Sequence, residues 1–305
     1  MTTQAITNII KTQNYKIKAD YLMSFRIIAD SCCDRTERMK DWDNITFVPL
    51  TLSIDDYTIQ DDENFDQDDF IRRALESKNV PKTACPSPEA FANAMDCDED
   101  DIYVLTITDK LSGTYNSALQ GKMLFEEEHA GKNVHVFNSL ATSGLESLIA
   151  EKIKELGDNG ANFETIVSTV EDFIVNHTAL YFCLESLDVL NQNGRLYAMA
   201  ATILKKIKLK LICERTQEGS VKLAGQEFSA NRALIKMASI IANEVKDSNP
   251  SEQRIILSHV CCEDKAKLVA EKLESAGFGS IEIVKASGLN SVYAANGGLI
   301  VSFTK

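Results

Sequence analysis

Ile102-Tyr103-Val104-Leu105-Thr106-Ile107, followed shortly by Leu111-Ser112-Gly113-Thr114-Tyr115-Asn116-Ser117-Ala118, is the stretch that decides the fold. The first block is short, apolar and β-branched, so it reads as a buried strand. The second is small and hydroxyl-rich, and a helical pattern runs from about Ser112 to Glu128. A strand feeding a helix through a short loop is half of a βα unit. Upstream, Phe25 to Ala29 reads as a strand ending in Asp30-Ser31, and Ile45 to Ile54 is strand-rich. Asn64 to Lys78 is expected to be helical, with Phe65, Phe70, Ile71, Ala74 and Leu75 on one face. Ser87 before Pro88 has the chemistry of an N-cap and a first helical residue. Downstream, Val134 to Phe137 is a further strand, with helices expected over Ser143 to Leu156 and Phe163 to Val175.

This alternation predicts an α/β fold whose N-terminal lobe is a doubly wound, mainly parallel sheet. Ligands of such sheets bind beyond the carboxyl ends of the strands. The loops Asp30–Asp34, Thr83–Ser87 and Thr108–Ser117 lie there. From about Ala179 the pattern changes. Ile207 to Cys213 and Ser220 to Gln226, separated by Glu218-Gly219, read as a hairpin. Helix, strand, helix and strands follow to Phe303, a C-terminal mixed α/β lobe. The expected division is 1–23 as an extension, 24–177 as the first lobe and 178–305 as the second.

Composition narrows the function classes. Acidic residues outnumber basic ones 45 to 32, for a net charge of −13. Nucleic acids and anionic membranes need clustered Lys and Arg, so neither is expected as a partner. No run of 18 apolar residues suggests a membrane span, and the start of the chain lacks a secretory apolar core. A cytoplasmic location is the expectation. Eight cysteines form no C-x-x-C spacing, and the pairs Cys32-Cys33 and Cys261-Cys262 suit tetrahedral zinc poorly. No metal and no cofactor are expected. GxGxxG, GxxxxGK[ST], HExxH and GxSxG motifs are all missing, and no catalytic residue is assigned.

Two loops carry chemistry. Gly113 allows close backbone approach, and Ser112, Thr114 and Ser117 gather hydroxyls where a helix begins, a place that favours an anion. Simple capping of the helix by Ser112 accounts for the same pattern. In Lys82-Thr83-Ala84-Cys85-Pro86-Ser87-Pro88, two prolines stiffen a loop that offers the Thr83 hydroxyl, though turn chemistry alone also accounts for it.

Taken in order, Ala29-Asp30-Ser31, Val48-Pro49-Leu50, Thr83 with Pro86-Ser87-Pro88, Leu111 to Ala118, Ser139 with Ser143-Gly144, and Gly194-Arg195-Leu196 resemble the DegV family of bacterial fatty-acid-binding proteins. The resemblance runs from about Phe25 to Phe303. It implies a long-chain fatty acid with its carboxylate on the hydroxyls of Thr83 and Ser112 and its alkyl chain in an apolar tunnel. It also implies a separate kinase subunit that uses ATP to make an acyl phosphate. The ligand-binding set it implies is Thr83, Ser112, Gly113, Thr114, Ser31, Tyr293 and Arg232, with Arg195 and Arg232 as partner contacts. At ~0.8 kcal/mol per methylene, burying about fourteen of them contributes ~11 kcal/mol, so the headgroup needs only a few hydrogen bonds. The chain departs from the family pattern mostly in its second half. Tyr293 stands at the family's His position, Asn138-Ser139 replaces Asp-Ser, and Lys208-Leu209-Lys210 replaces a Lys-Pro run. Two other readings stay open: a relative that binds another acidic lipid or metabolite, and a hydrolase or phosphotransferase with Ser112 as nucleophile.

Overall fold

The structure, a computed structural model, describes residues 24–195 and 209–305. The expected extension 1–23, Leu196 and Lys208 lie outside the described residues.

Strands β1 (Phe25–Asp30), β2 (Ile45–Val48), β6 (Asp101–Thr106) and β7 (Asn133–Asn138) form a parallel sheet in the order β2-β1-β6-β7. Its side chains alternate as a strand's must. Ile28, Ile102, Val104, Val134 and Val136 pack with Phe91 and Phe125, from α2 (Pro88–Met95) and α3 (Thr114–Glu128). Ile27, Ala29, Tyr103, Leu105 and Phe137 point the other way, onto α4 (Gly144–Asp158) and α5 (Phe163–Asn176). Both faces are covered, which is why these strands read as near-continuous apolar runs. Ser87 caps α2 as expected, its hydroxyl accepting from the Ala90 N–H at 3.3 Å. Gly113, not Ser112, is the residue before α3, which starts at Thr114, and the Ser112 hydroxyl accepts the Thr114 N–H at 3.3 Å.

A six-stranded sheet follows: β8 (Thr178–Cys183), β9 (Lys210–Arg215), β10 (Val221–Glu227), β11 (Arg254–His259), β12 (Ser280–Lys285) and β13 (Leu299–Thr304), ordered β10-β9-β8-β13-β11-β12. Only β11 and β12 pair in parallel. Helices α7 (Ala230–Glu244) and α8 (Glu263–Ser275) cover its outer face through Leu234, Met237, Ile241, Val269 and Leu273. Its inner face turns to α4, so that helix is sandwiched between the two sheets. Gly144 makes the close approach: a Cβ there would lie 2.6 Å from a methyl of Ile256. One apolar cluster runs from Phe25 and Tyr103 in the first sheet to Phe182 and Ile300 in the second.

Ile45 to Ile54, read as one strand-rich stretch, is two strands in two sheets. β3 (Thr51–Ile54) pairs antiparallel with β4 (Tyr57–Gln60) and with β5 (Lys82–Ala84) in a separate three-stranded sheet. Asp55, with φ 52°, turns β3 into β4. Helix α1 (Gln67–Glu76) is capped by Asp66, and two short helices, α6 (Asp188–Gln192) and α9 (Gly288–Ala294), complete the elements used below.

Candidate functional site

Between the sheets lies a cavity of about 100 Å³, lined from both parts of the chain. Its walls are apolar: Leu180, Phe182 and Leu184 from β8, Ile300 from β13, Leu190 from α6 and Leu289 from α9. No Asp, Glu or His is among its described lining residues, and its two charged members are both arginines, Arg195 and Arg215.

The polar groups near its α6–α9 end come from distant parts of the chain. Thr83 is held on β5 by pairing with Leu52, and Tyr293 is carried by α9. Their hydroxyl oxygens lie 2.9 Å apart. Ser112, in the loop before α3, lines the same cavity, and its Oγ lies 2.8 Å from the Thr114 hydroxyl. Arg195 bridges the two groups: its Nε donates to the Leu111 carbonyl at 3.4 Å, and its guanidinium sits 5.9 Å from the Tyr293 ring centre. Each hydroxyl carries one hydrogen. Four hydroxyls in two mutual pairs use two hydrogens and leave two, one for each oxygen of a carboxylate.

Of the residues expected from sequence, Thr83, Ser112, Tyr293 and Arg195 meet in the cavity wall. Thr114 is buried behind Ser112, and exposed Gly113 is only the residue before the helix. Arg232 lies elsewhere, exposed on the first turn of α7 and absent from the cavity lining. Ser31 is also set back from it. Its hydroxyl donates to Asp61 Oδ2 at 2.9 Å and accepts the Leu50 N–H at 3.0 Å.

Ser31 is part of a support that sequence reasoning missed. Asp61 accepts the N–H groups of Gly288 (2.7 Å) and Leu289 (2.9 Å) at the start of α9. Asp34 accepts Ser287 N–H, the Asn290 amide and the Ser143 hydroxyl at 2.7, 3.0 and 2.5 Å. Two buried acids thus fix the helix that carries Tyr293. Burial pushes the Asp61 carboxyl up to about 6 despite these bonds. The Asp-rich run 61–63 reads as solvated in sequence, so nothing there pointed to the role.

Ser112 has no base in the cavity. The nearby acid by sequence, Asp109, is engaged by Lys110 at 2.8 Å and by Asn138 Nδ2 at 2.9 Å. A serine without a base is a poor nucleophile. The site is built to hold an acid by hydrogen bonds and to bury an apolar body.

Comparison with known proteins decides the family. The model described as an uncharacterised protein of the DegV family matches residues 24–304. The chain belongs to the DegV family. A DegV domain-containing protein of Streptococcus pneumoniae is 30% identical, covering 92% of this chain and 99% of its own. A DegV family protein of Ruminococcus gnavus, solved with vaccenic acid, is 37% identical, with a TM-score of 0.86 over 92% of this chain and 99% of that one. The Streptococcus pneumoniae Fatty Acid Kinase (Fak) B3 protein, solved loaded with linoleic acid, is 29% identical, with a TM-score of 0.81 over 92% and 99%. Among the described residues, no helix of this DegV protein is long and apolar enough to cross a membrane.

Proposed function

We propose that this DegV protein binds a long-chain fatty acid, with its carboxylate on Thr83, Ser112 and Tyr293 and its alkyl chain along β8, and presents it in the cytoplasm to a separate ATP-dependent kinase subunit for conversion to an acyl phosphate. The observation that carries the reading is the cavity itself: mainly apolar walls, no lining carboxylate among the described residues, and hydroxyls from three separate segments, Thr83, Ser112 and Tyr293, in its wall. Burial of the alkyl chain supplies the affinity. Spare hydroxyl hydrogens orient the head, each charge-assisted bond contributing about 1.5–3 kcal/mol. The Ruminococcus gnavus and Streptococcus pneumoniae relatives, solved with vaccenic and linoleic acid, support the ligand class. The Fak B3 relative supports the kinase partner. The protein itself acts as carrier, since Ser112 lacks a base.

Organic extraction of the purified protein followed by mass spectrometry tests this reading. One long-chain acid per chain is the expected result. A protein that carries no acyl lipid, and whose melting temperature does not rise with added fatty acids of increasing length, ends the reading. Formation of hydroxylamine-trapped acyl phosphate with ATP and a kinase subunit from the same source tests the partner separately.

A further inference from the structure

The second arginine of the cavity lies beside the start of β8. Leu184, Phe182 and Leu180 line it along β8. The span from Leu184 to Leu180 is roughly 13 Å at 3.3 Å per residue. Leu184 lies toward α6 and the hydroxyls. Phe182 pairs with Cys213 and Tyr181 with Glu214, which puts Arg215 beside Leu180. The turn that follows reaches back to the loop that carries Ser112: the Thr108 hydroxyl donates to the Gly219 carbonyl at 3.1 Å, and the Ser112 N–H donates to the Thr108 carbonyl at 3.2 Å.

Arg215 is pinned there. Its guanidinium donates to the carbonyls of Ile174 at 3.0 Å and Thr178 at 2.7 Å. Burial lowers its pKa to about 10, opposed by the charge of Glu244. Leu180 and Arg215 also line a second, polar groove with Glu214, Glu218 and Lys222. The arginine side chain is therefore the partition between the apolar interior and an outer groove.

We infer that Arg215 is the end-stop of the cavity, the residue that sets the longest acyl chain the protein accepts. The inference rests on the fatty-acid reading above. A methyl end can come to rest against Leu180 and the arginine stem. One methylene more has to push the guanidinium off two carbonyls and leave them without a donor. A closed apolar pocket discriminates a single methylene by roughly 10–200-fold, and a carbonyl-held arginine makes the wall stiff enough for that.

The test loads the full-length protein and its Arg215→Ala and Arg215→Met variants with an equimolar series of saturated fatty acids of rising length. Extracted acids are then quantified by mass spectrometry. The native protein is expected to show a cut-off, with bound acid falling roughly ten-fold or more within a few carbons. In Arg215→Ala the cut-off moves to longer chains. In Arg215→Met, which fills space without holding the carbonyls, it moves less and is less steep. If the alanine variant fails to fold, the methionine variant decides by the same criterion. A cut-off unmoved in a folded variant overturns the inference, as does the lack of any cut-off in the native protein. Failure of the native protein to bind any acid sinks the fatty-acid reading instead.

Discussion

The interior holds two polar regions that are finished in different ways. Beneath α9, the oxygens of Asp30, Asp34 and Asp61 all accept hydrogen bonds from protein donors. At the cavity end, Thr83, Ser112 and Tyr293 satisfy one another or a neighbour and keep hydrogens to spare, beside a space walled by leucine and phenylalanine. Buried polar groups are ordinarily completed by their own protein. The three aspartates are complete and act as scaffold, whereas the cavity is completed from outside. The contrast teaches that the two regions should answer to different perturbations: substitutions in the first cost stability, and those in the second cost affinity.

The largest effect expected is at Asp34. Asp34→Ala leaves Ser287 N–H and the Ser143 hydroxyl without their acceptor, while the Asn290 amide keeps the Cys32 carbonyl and the Ser287 hydroxyl, so a loss of about 3–5 kcal/mol is expected in urea unfolding. A loss near that of an ordinary surface change would break the scaffold side of the comparison. Next comes ligand removal. A stripped protein should melt lower than the loaded one, by the equivalent of about 2.7 kcal/mol at a hundred-fold excess over Kd. Equal melting curves would break the other side. Thr83→Val and Ser112→Ala should then each weaken fatty-acid binding by about 1.5–3 kcal/mol, and Tyr293→Phe by less, in isothermal titration. None of the three should shift unfolding of the stripped protein by as much as Asp34→Ala does.

The smallest effect is one of pH. Glu146 is fully buried and neither of its oxygens meets a hydrogen-bond donor. Burial, then the neighbouring charges of Asp30 and Asp34, push it well above the carboxylate range. A protonated Glu146 can donate to Asp30, which burial itself raises from 3.8 to about 6. With Asp30 and Asp61 both raised to about 6, the native state holds more protons than the unfolded chain between pH 4 and 6. Stability therefore falls as pH rises through that window. Glu146 extends the decline to higher pH. Glu146→Gln keeps the donor and should change stability by less than about 1 kcal/mol near pH 6, becoming stabilising relative to the native protein at alkaline pH. Urea midpoints across the pH range check this, and a deficit that grows with pH would mean that Glu146 is ionised.

The parallel sheet was legible because its strands are buried on both faces, and burial on both faces writes itself as unbroken apolar runs such as Ile102–Ile107. The three-stranded sheet was not. β5 is three residues long, and β4 shows only Tyr57 and Ile59 as apolar members. Thr83 was picked out from its loop, while the strand pairing that aims it had no local signal. Helix α9, seven residues from Gly288, is fixed by acids more than 220 positions earlier in the chain. Arg215, in a Glu-Arg-Thr run before a turn, reads as a solvated residue, and only its register against β8 draws it inward. Arg232, which the resemblance offers both to the ligand and to a partner, lies on the surface and outside the cavity lining.

The account turns on which end of the cavity receives the carboxylate. A crystal structure of the protein loaded with a fatty acid brominated at its terminal carbon reads both ends at once. The carboxylate is expected within hydrogen-bonding distance of Thr83 and Ser112, with the bromine anomalous peak beside Leu180 and Arg215. A bromine peak beside Tyr293 with the carboxylate at Arg215, or an acid bound elsewhere with the cavity closed by side chains, would contradict it.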